Sequence, residues 1–266
     1  MGKNNFNNSW KNRDDNKIKA EYHTIKMEKE YKEDIDECVE NTFTYDDSSF
    51  VNFNLTEKFY NPMEIIVEDI DTVSAIYKYA EDGFVNCALN FASYKNAGGK
   101  FLEGSIAQEE ALCHESVLYN VLRQKTDYYE WNDRHTKNKS LYLNRALYSE
   151  DVLFVKGEEK YCDVLTCACP NKRASQKYNN VTDEENFKVL KERVEFVLKI
   201  ANYNDVDTLI LGAWGTGVFG QSTYEVANVF KFVLSKYPKA FNRVVFAIPN
   251  SNEKIKIFNK VFVDKR

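Results

Sequence analysis

The sequence predicts an α/β fold in which a largely parallel or mixed sheet carries helices on both faces. From Glu64 to Phe262, short apolar and β-branched runs alternate with longer amphipathic runs, which is the pattern that builds such sheets. Two glycine-rich loops each lie between a predicted strand and a predicted helix. Because ligands of these folds bind beyond the carboxyl ends of the strands, the same loops indicate where a site lies.

The individual elements follow from the period of the apolar residues. The clearest helix has Phe187, Leu190, Val194 and Val197 at three-to-four spacing, so they line one face. The polar segment before Pro62 shows no clear period. The predicted strands cover residues 64–68, 84–91, 161–169, 208–211 and 244–248. The predicted helices cover residues 17–32, 72–80, 107–123, 183–201, 224–237 and 253–262.

Composition bounds the domain organisation and the possible partners. A chain of 266 residues with 43% hydrophobic side chains is long enough to bury one large core. The formal net charge of -5 offers no general attraction for nucleic acid, and we expect no direct nucleic-acid binding. An anionic ligand must then be held by local features such as helix N-termini and backbone amides.

Three segments differ in composition along the chain. Residues 1–16 are Asn-rich, charged and poor in aliphatic side chains, which predicts a disordered leader. We expect residues 17–62 to form an N-terminal extension that packs on a main domain at residues 63–266. No apolar run is long enough to cross a bilayer, and the N-terminus lacks a signal-peptide core. We therefore expect a cytoplasmic protein without membrane contact. We also expect a monomer.

The cysteines and histidines do not form a metal-ligand pattern. The six cysteines contain no CxxC pair, and His23, His114 and His135 stand far apart in the chain. Most of the thiols fall inside apolar runs, which is typical of small buried side chains in a reducing compartment. We expect neither a bound metal nor a cofactor.

The first glycine-rich loop follows the strand predicted at residues 84–91. Three of the ten glycines, Gly98, Gly99 and Gly104, lie within this loop. Glycine lets the backbone approach a ligand closely and adopt positive φ, so a glycine pair between strand and helix can cradle a phosphate. From the glycines alone, an ordinary strand-to-helix turn is the simpler interpretation.

A polar string, Gln108, Glu109 and Glu110, opens the helix after this loop. Carboxylates favour the positive end of a helix dipole, so capping is the simpler interpretation. Successive helical residues point about 100° apart, so the two acids cannot share one task. One can face the crevice while the other anchors the loop or a ligand hydroxyl. A carboxyl group beside a bound sugar is what glycosidic cleavage needs, because it protonates the leaving oxygen and then activates water.

The second glycine-rich loop runs from Gly212 to Ser222, after the strand predicted at residues 208–211. It carries four glycines immediately before a helix, so strand, loop and helix N-terminus together offer backbone N–H groups to an anion. Paired with the first loop, it favours a pyrophosphate site. Phe219 at the loop tip either stacks on a base or ribose face or packs in the core.

At these residues the sequence resembles the bacterial-type poly(ADP-ribose) glycohydrolase family, a branch of the macrodomain superfamily. The family pattern is a glycine triplet followed, after a short spacer, by Gln-Glu-Glu. Here the string Gly98-Gly99-Lys100, the spacer at residues 101–107 and the acids Glu109 and Glu110 fit that frame. The sequences NFAS at residues 90–93 and LGAWGTGVFG at residues 211–220 resemble the family as well.

The resemblance implies a macrodomain-like three-layer α/β/α sandwich with a mixed central sheet and an N-terminal helical extension. It also implies hydrolysis of the ribose–ribose O-glycosidic bonds of poly(ADP-ribose) on modified proteins, with release of ADP-ribose. Glu110 is then the catalytic acid and base, and Glu109 contacts ribose hydroxyls and holds the loop. The implied substrate-binding residues are Asn90, Ser93, Gly98, Gly99, Lys100, Gln108, Gly215, Thr216, Gly217, Val218 and Phe219.

One departure from the family pattern leaves two other functions open. Lys100 replaces the third glycine, and its side chain either clashes with the ligand or supplies a cation to the diphosphate. The alternatives are a reader macrodomain that binds ADP-ribose without turnover, and a hydrolase of mono-ADP-ribosyl groups. The presence of both Glu109 and Glu110 favours turnover.

Overall fold

A computed structural model describes the backbone of residues 3–263 and the side chains of residues 12–263. The strands are β1 (Thr42–Asp46), β2 (Glu64–Glu68), β3 (Asn86–Phe91), β4 (Arg145–Lys156), β5 (Glu158–Cys167), β6 (Thr208–Leu211) and β7 (Arg243–Ala247). The α-helices are α1 (Lys3–Glu30), α2 (Lys32–Glu40), α3 (Thr72–Tyr79), α4 (Gln108–His114), α5 (Leu118–Leu122), α6 (Thr126–Arg134), α7 (Lys172–Asn179), α8 (Asp183–Tyr203), α9 (Thr223–Leu234) and α10 (Asn252–Phe262).

The strands form one mixed sheet in the order β1-β4-β5-β3-β6-β7-β2. Strands β5, β3, β6, β7 and β2 run parallel to one another, whereas β4 is antiparallel to both β5 and β1. Strand β3 lies at the centre, with Cys87 paired to Asp163 of β5 and to Leu209 of β6. The predicted mixed sheet is confirmed.

Two helical layers bury the two faces of this sheet, because successive strand side chains point to opposite sides. Leu89 belongs to the core that contains Leu190 of α8 and the apolar faces of α9 and α10. The preceding residue, Ala88, belongs to the other core, which contains Ile76 of α3 and the buried side chains of α1, α2, α4 and α5. The predicted three-layer sandwich is therefore confirmed.

The segment before Pro62 contributes to both a helical layer and the sheet. Ala20 and Met27 of α1 and Ile35 of α2 are buried in the second core, and β1 forms an edge strand on β4. Helix α1 begins at Lys3, earlier than the helix start predicted at Lys17. Residues 1 and 2 of the predicted leader lie outside the described residues. The division of the chain at residues 16 and 62 stays a prediction.

The single helix predicted at residues 107–123 is wrong. Helix α4 ends at His114, and α5 begins only at Leu118. Between them, the hydroxyl of Ser116 accepts a hydrogen bond from the Leu118 N–H at 3.1 Å, and Ser116 forms an isolated bridge with Phe154 of β4. A serine hydroxyl that bonds nearby backbone competes with the helical ladder, so the chain turns here.

All six cysteines lie within the described residues, and they are buried without forming disulfides. This agrees with the prediction of small buried side chains. Within residues 3–263, no helix combines the length and apolarity that crossing a bilayer requires.

Helix α8 begins with a capping box. The contribution of this capping box to the stability of the protein can be measured. The Thr182 hydroxyl accepts from the Glu185 N–H at 3.1 Å, and the Glu185 carboxylate accepts from the Thr182 N–H at 2.8 Å. We expect Thr182→Ala to lower the free energy of unfolding by about 1 kcal/mol in urea denaturation. Lys188→Ala, at an exposed position of the same helix, is the control. Equal losses in both variants would contradict the assigned cap.

Candidate active site

The two glycine-rich loops leave the sheet side by side. Strands β3 and β6 are parallel neighbours, so their carboxyl ends at Phe91 and Leu211 lie at the same edge. A Cβ atom added to Gly212 would lie 3.0 Å from Cζ of Phe91, so the loops begin in contact. We call residues 92–107 the first loop and residues 212–222 the second loop. Their convergence is the geometry that the sequence predicts.

Gln108 joins the start of α4 to the end of β3. Its amide nitrogen donates to the Leu89 carbonyl at 2.9 Å and to the Thr72 hydroxyl at 3.1 Å. Its amide oxygen accepts from the Phe91 N–H at 2.8 Å. Because both ends of the amide are bonded within the protein, Gln108 orients the two acids that follow it in α4.

Glu109 is buried and holds the beginning of the first loop. Its Oε2 accepts from the Ser93 N–H at 2.7 Å, and its Oε1 accepts from Asn90 Nδ2 at 3.4 Å. Asn90 Nδ2 also donates to the Thr166 hydroxyl of β5 at 3.2 Å. Burial raises the pKa of Glu109 to about 8; the Ser93 N–H opposes this rise, and the nearby Glu110 carboxylate adds to it.

Glu110 has a different set of partners. Its side chain is only 6% exposed, and its Oε1 accepts from the Lys100 N–H at 2.9 Å. Its Oε2 is buried and has no hydrogen-bond partner among the described residues. A buried carboxyl oxygen without a partner is unfavourable, so this atom calls for a partner that the chain itself does not supply. A ligand hydroxyl meets that requirement.

The glycine pair makes this arrangement possible. Gly98 and Gly99 have φ angles of +64° and +62°, which side chains disfavour. A Cβ atom on Gly99 would lie 2.7 Å from Oε2 of Glu109 and 2.8 Å from Oε1 of Glu110. A Cβ atom on Gly98 would lie 2.7 Å from the Tyr119 ring. Only glycines therefore let this turn close over both carboxyl groups.

Lys100 fits the third position of the motif without strain. Its φ angle is -115°, which any L-residue adopts. Its side chain is exposed and forms an ion pair with Glu103 at 3.3 Å, so it extends along the first loop toward that residue. Only the backbone N–H of Lys100 reaches a carboxyl group of the site. The departure from the family pattern consequently leaves the turn intact.

The second loop presents free backbone donors. Gly215 has a φ angle of +74° and packs so closely on Cys169 that a Cβ atom would overlap the thiol. The Thr216 hydroxyl donates to the Ala213 carbonyl at 2.7 Å, which tightens the turn. In the part of the chain that the structure describes, the N–H groups of Gly217, Val218 and Phe219 have no acceptor. Successive free N–H groups of this kind suit an anion.

Sequence reasoning missed Tyr142, which lies between the two loops. Its ring stacks on Tyr94 of the first loop, with centroids 4.4 Å apart and planes 10° apart. The ring of Phe219 in the second loop lies 6.2 Å from the Tyr142 centroid. Tyr142 lies in the irregular turn after α6, where its φ angle is +63°. Apolar periodicity identifies residues of regular helices and strands, so it does not identify Tyr142.

A separate cavity of about 310 Å³ lies between α2 and the bulged part of β4. Its lining includes the carboxylates of Asp34, Glu37, Glu150 and Asp151, and it includes no residue of either glycine-rich loop. An acidic lining repels a diphosphate, so this cavity does not suit the predicted ligand.

Gly99→Ala tests the close approach of the first loop to the two acids. We expect a loss of activity of about 100-fold or more, because an added methyl displaces the carboxyl groups that it meets. Lys100→Ala, one residue later, keeps the backbone N–H and should change activity by no more than about twofold. Steady-state rates on polymer measure both. A Gly99→Ala enzyme with normal rates would contradict the geometry.

The raised pKa of Glu109 gives a pH-dependent stability. The unfolded chain loses this proton near pH 4.5 and the folded chain near pH 8, so the free energy of unfolding falls as the pH rises between these values. Glu109→Gln removes the titration and keeps an oxygen for the Ser93 N–H. We expect the Tm of this variant to fall less than the wild-type Tm between pH 5 and pH 8. Glu103→Gln, at an exposed acid, is the control; identical pH profiles for all three proteins would refute the assignment.

Comparisons with known proteins show the family of this chain. Residues 16–157 match the model of the microbial-type PARG catalytic domain, where PARG is poly(ADP-ribose) glycohydrolase, and this range exceeds half of the chain. The comparison with curated proteins found no match to this chain. Among solved structures, the enzyme from Thermomonospora curvata superposes with a TM-score of 0.84 at 27% identity, covering 94% of this chain and 100% of that one.

Two ligand-bound structures are similar as well. The Thermomonospora curvata enzyme bound to the inhibitor ADP-HPD gives a TM-score of 0.82 at 27% identity, again covering 94% of this chain and 100% of that one. The Deinococcus radiodurans enzyme in complex with ADP-ribose gives a TM-score of 0.77 at 26% identity, covering 85% of this chain and 96% of that one. The chain therefore belongs to the family of microbial-type poly(ADP-ribose) glycohydrolases.

Proposed function

We propose that Glu110 is the general acid and base with which this poly(ADP-ribose) glycohydrolase cleaves the ribose–ribose O-glycosidic bond and releases ADP-ribose. The observation that carries the proposal is the unpartnered Oε2 of Glu110, in a carboxyl group whose other oxygen is held by the Lys100 N–H. A carboxyl group fixed through one oxygen can exchange protons through the other, which is what general acid–base catalysis requires.

The chemistry needs one acid that acts twice. In the first step, protonated Glu110 donates its proton to the departing 2′-oxygen while the bond from that oxygen to the anomeric carbon breaks. An oxocarbenium-like ribose remains. In the second step, the Glu110 carboxylate takes a proton from the water that attacks the anomeric carbon. Glu110 is then protonated again, and ADP-ribose leaves with the new hydroxyl group.

The neighbouring polar residues position this acid and its loop. Gln108 ties the start of α4 to β3, and Glu109 binds the Ser93 N–H and Asn90. We assign Glu109 to holding the first loop, whereas the family resemblance also gives it contacts to ribose hydroxyls. Each of its oxygens accepts one hydrogen bond from the protein and has a second lone pair for a ligand hydroxyl.

The diphosphate of the substrate fits the second loop. The free N–H groups of Gly217, Val218 and Phe219 offer donors that need no cationic side chain. Gly215 and Thr216 shape this turn, and Gly98 and Gly99 bring the first loop to its other side. The two relatives in complex with ADP-ribose and ADP-HPD support an ADP-ribose group between these loops.

The cellular setting remains a prediction from chemistry. We propose a cytoplasmic monomer that acts on ADP-ribosylated proteins and does not bind nucleic acid directly. Six buried free thiols are typical of a reducing compartment. The net charge of -5 opposes association with a polyanionic strand. The division into a leader, an extension and a main domain belongs to the same set of proposals.

Glu110→Gln tests the catalytic assignment. Glutamine keeps an oxygen for the Lys100 N–H but cannot transfer the proton, so we expect the turnover of polymer to fall by roughly 100- to 10,000-fold. The Kd for ADP-ribose, measured by calorimetry, should stay within about threefold, since surface and loop contacts are unchanged. Glu103→Gln removes an exposed acid of the first loop and should retain turnover. Retained turnover in Glu110→Gln would exclude Glu110 as the acid.

The same assays separate the alternative functions. A wild-type protein that binds ADP-ribose but leaves polymer intact would be a reader macrodomain. Faster release of ADP-ribose from a mono-ADP-ribosylated peptide than from polymer would indicate a mono-ADP-ribosyl hydrolase. The buried, unpartnered oxygen of Glu110 favours turnover over reading, because a reader has no use for an acid in that state.

A further inference from the structure

We infer that Asn186 and Gln221 are positioning residues, because their paired side-chain amides hold the second loop in the conformation that binds the diphosphate. This inference rests on the proposed function, which places the diphosphate of ADP-ribose against that loop. Gln221 lies near the end of the second loop, and Asn186 lies in the first turns of helix α8. Neither residue belongs to the sequence strings that resemble the family.

The two side chains form a reciprocal pair of hydrogen bonds inside the protein, which we call the amide pair. Asn186 Nδ2 donates to Gln221 Oε1 at 2.9 Å, and Gln221 Nε2 donates to Asn186 Oδ1 at 2.9 Å. Asn186 is fully buried, and Gln221 is only 4% exposed. Side-chain amides carry a donor and an acceptor side by side, so they can pair in this way. Buried polar groups whose partners are in place make the surrounding structure rigid.

The amide pair connects the second loop to two rigid parts of the fold. Gln221 Nε2 also donates to the Pro170 carbonyl at 2.8 Å, in the segment that follows β5. Because β5 and β6 are the two neighbours of β3, this bond joins the chain that leaves one neighbour to the chain that leaves the other. On the other side, the Asn186 N–H donates to the carbonyl of Thr182, the residue that caps α8.

The contacts of Gln221 extend to the base of the loop that carries the free donors. Its N–H donates to the Gly215 carbonyl at 3.0 Å, and a Cβ atom added to Gly215 would lie 3.0 Å from Cγ of Gln221. Gly215 and Gln221 thus close the loop. Between them lie Gly217, Val218 and Phe219, whose N–H groups have no acceptor in the described part of the chain. A movement of the base therefore changes the direction of these donors.

This arrangement matters for binding because the donors to the diphosphate belong to the backbone. Backbone N–H groups point at one anion only while the loop keeps one conformation. A loop that samples other conformations binds more weakly, in proportion to the time that it spends in them. The amide pair opposes such sampling, since separating it leaves buried amide groups without partners, which is unfavourable.

Variants of the amide pair test the inference through binding. Gln221→Met keeps an unbranched side chain of similar length and removes its hydrogen bonds. We expect the Kd for ADP-ribose, measured by calorimetry, and the KM for polymer to rise by about 10-fold. We expect kcat to stay within about threefold, because Glu110 and the first loop are unchanged. Asn186→Ala removes the other half of the pair and should raise the same Kd and KM.

Asn202→Ala is the matched control. Asn202 is a fully buried amide at the opposite end of α8, and its Nδ2 donates to the carbonyls of Thr56 and Ala240. This variant also loses buried hydrogen bonds, so its Tm should fall, but its Kd for ADP-ribose should equal that of the wild type. A purely structural effect would lower the Tm of all three variants and leave every Kd unchanged.

The double variant Asn186→Ala/Gln221→Met should bind no more weakly than the weaker single variant, since either change breaks the same pair. Additive losses, or a normal Kd in Gln221→Met, would overturn the inference. If Gln221→Met does not fold, Asn186→Ala carries the Kd measurement, and a normal value there would overturn it as well. A wild-type protein that fails to bind ADP-ribose would overturn the proposed function too, whereas normal binding by the wild type and by both variants would overturn this inference alone.

Discussion

The close packing of the Gly98-Gly99 turn on two buried carboxyl groups is the constraint on which the rest of the site depends. Gly99 leaves room for Oε2 of Glu109 and Oε1 of Glu110, and the Lys100 N–H then bonds Glu110 at 2.9 Å. This hydrogen bond joins the first loop to helix α4, and the other oxygen of Glu110 has no partner among the described residues. The central strands β3 and β6 bring the second loop to the same edge.

Two adjacent acids of the site have different hydrogen-bond partners. Glu109 and Glu110 are both buried, yet Glu109 has protein donors on both oxygens and Glu110 on only one. Their side chains leave α4 in directions about 100° apart, which turns one toward Ser93 and the other toward the Lys100 turn. The two acids of the motif therefore lie in different environments.

Local patterns predicted the five parallel strands β2, β3, β5, β6 and β7 and both glycine-rich loops. They did not predict β4, although its residues 146–149 are buried inside the sheet. They did not reveal β1, an edge strand, or the break at Ser116, because pairing with β4 decides both. Tyr142 was missed for the same reason. Its place between Tyr94 and Phe219 is defined by contacts between segments distant in the chain, which no period in the sequence records.

A crystal structure of the Glu110→Gln variant with a bound ADP-ribose oligomer would show whether residue 110 lies beside the scissile bond. The measured quantity is the distance from the free side-chain atom at position 110 to the 2′-oxygen of the scissile bond. We expect a separation of about 3 Å, with the Lys100 N–H still bonded to the other side-chain atom. A 2′-oxygen beside Glu109, with position 110 turned away from the sugar, would contradict it.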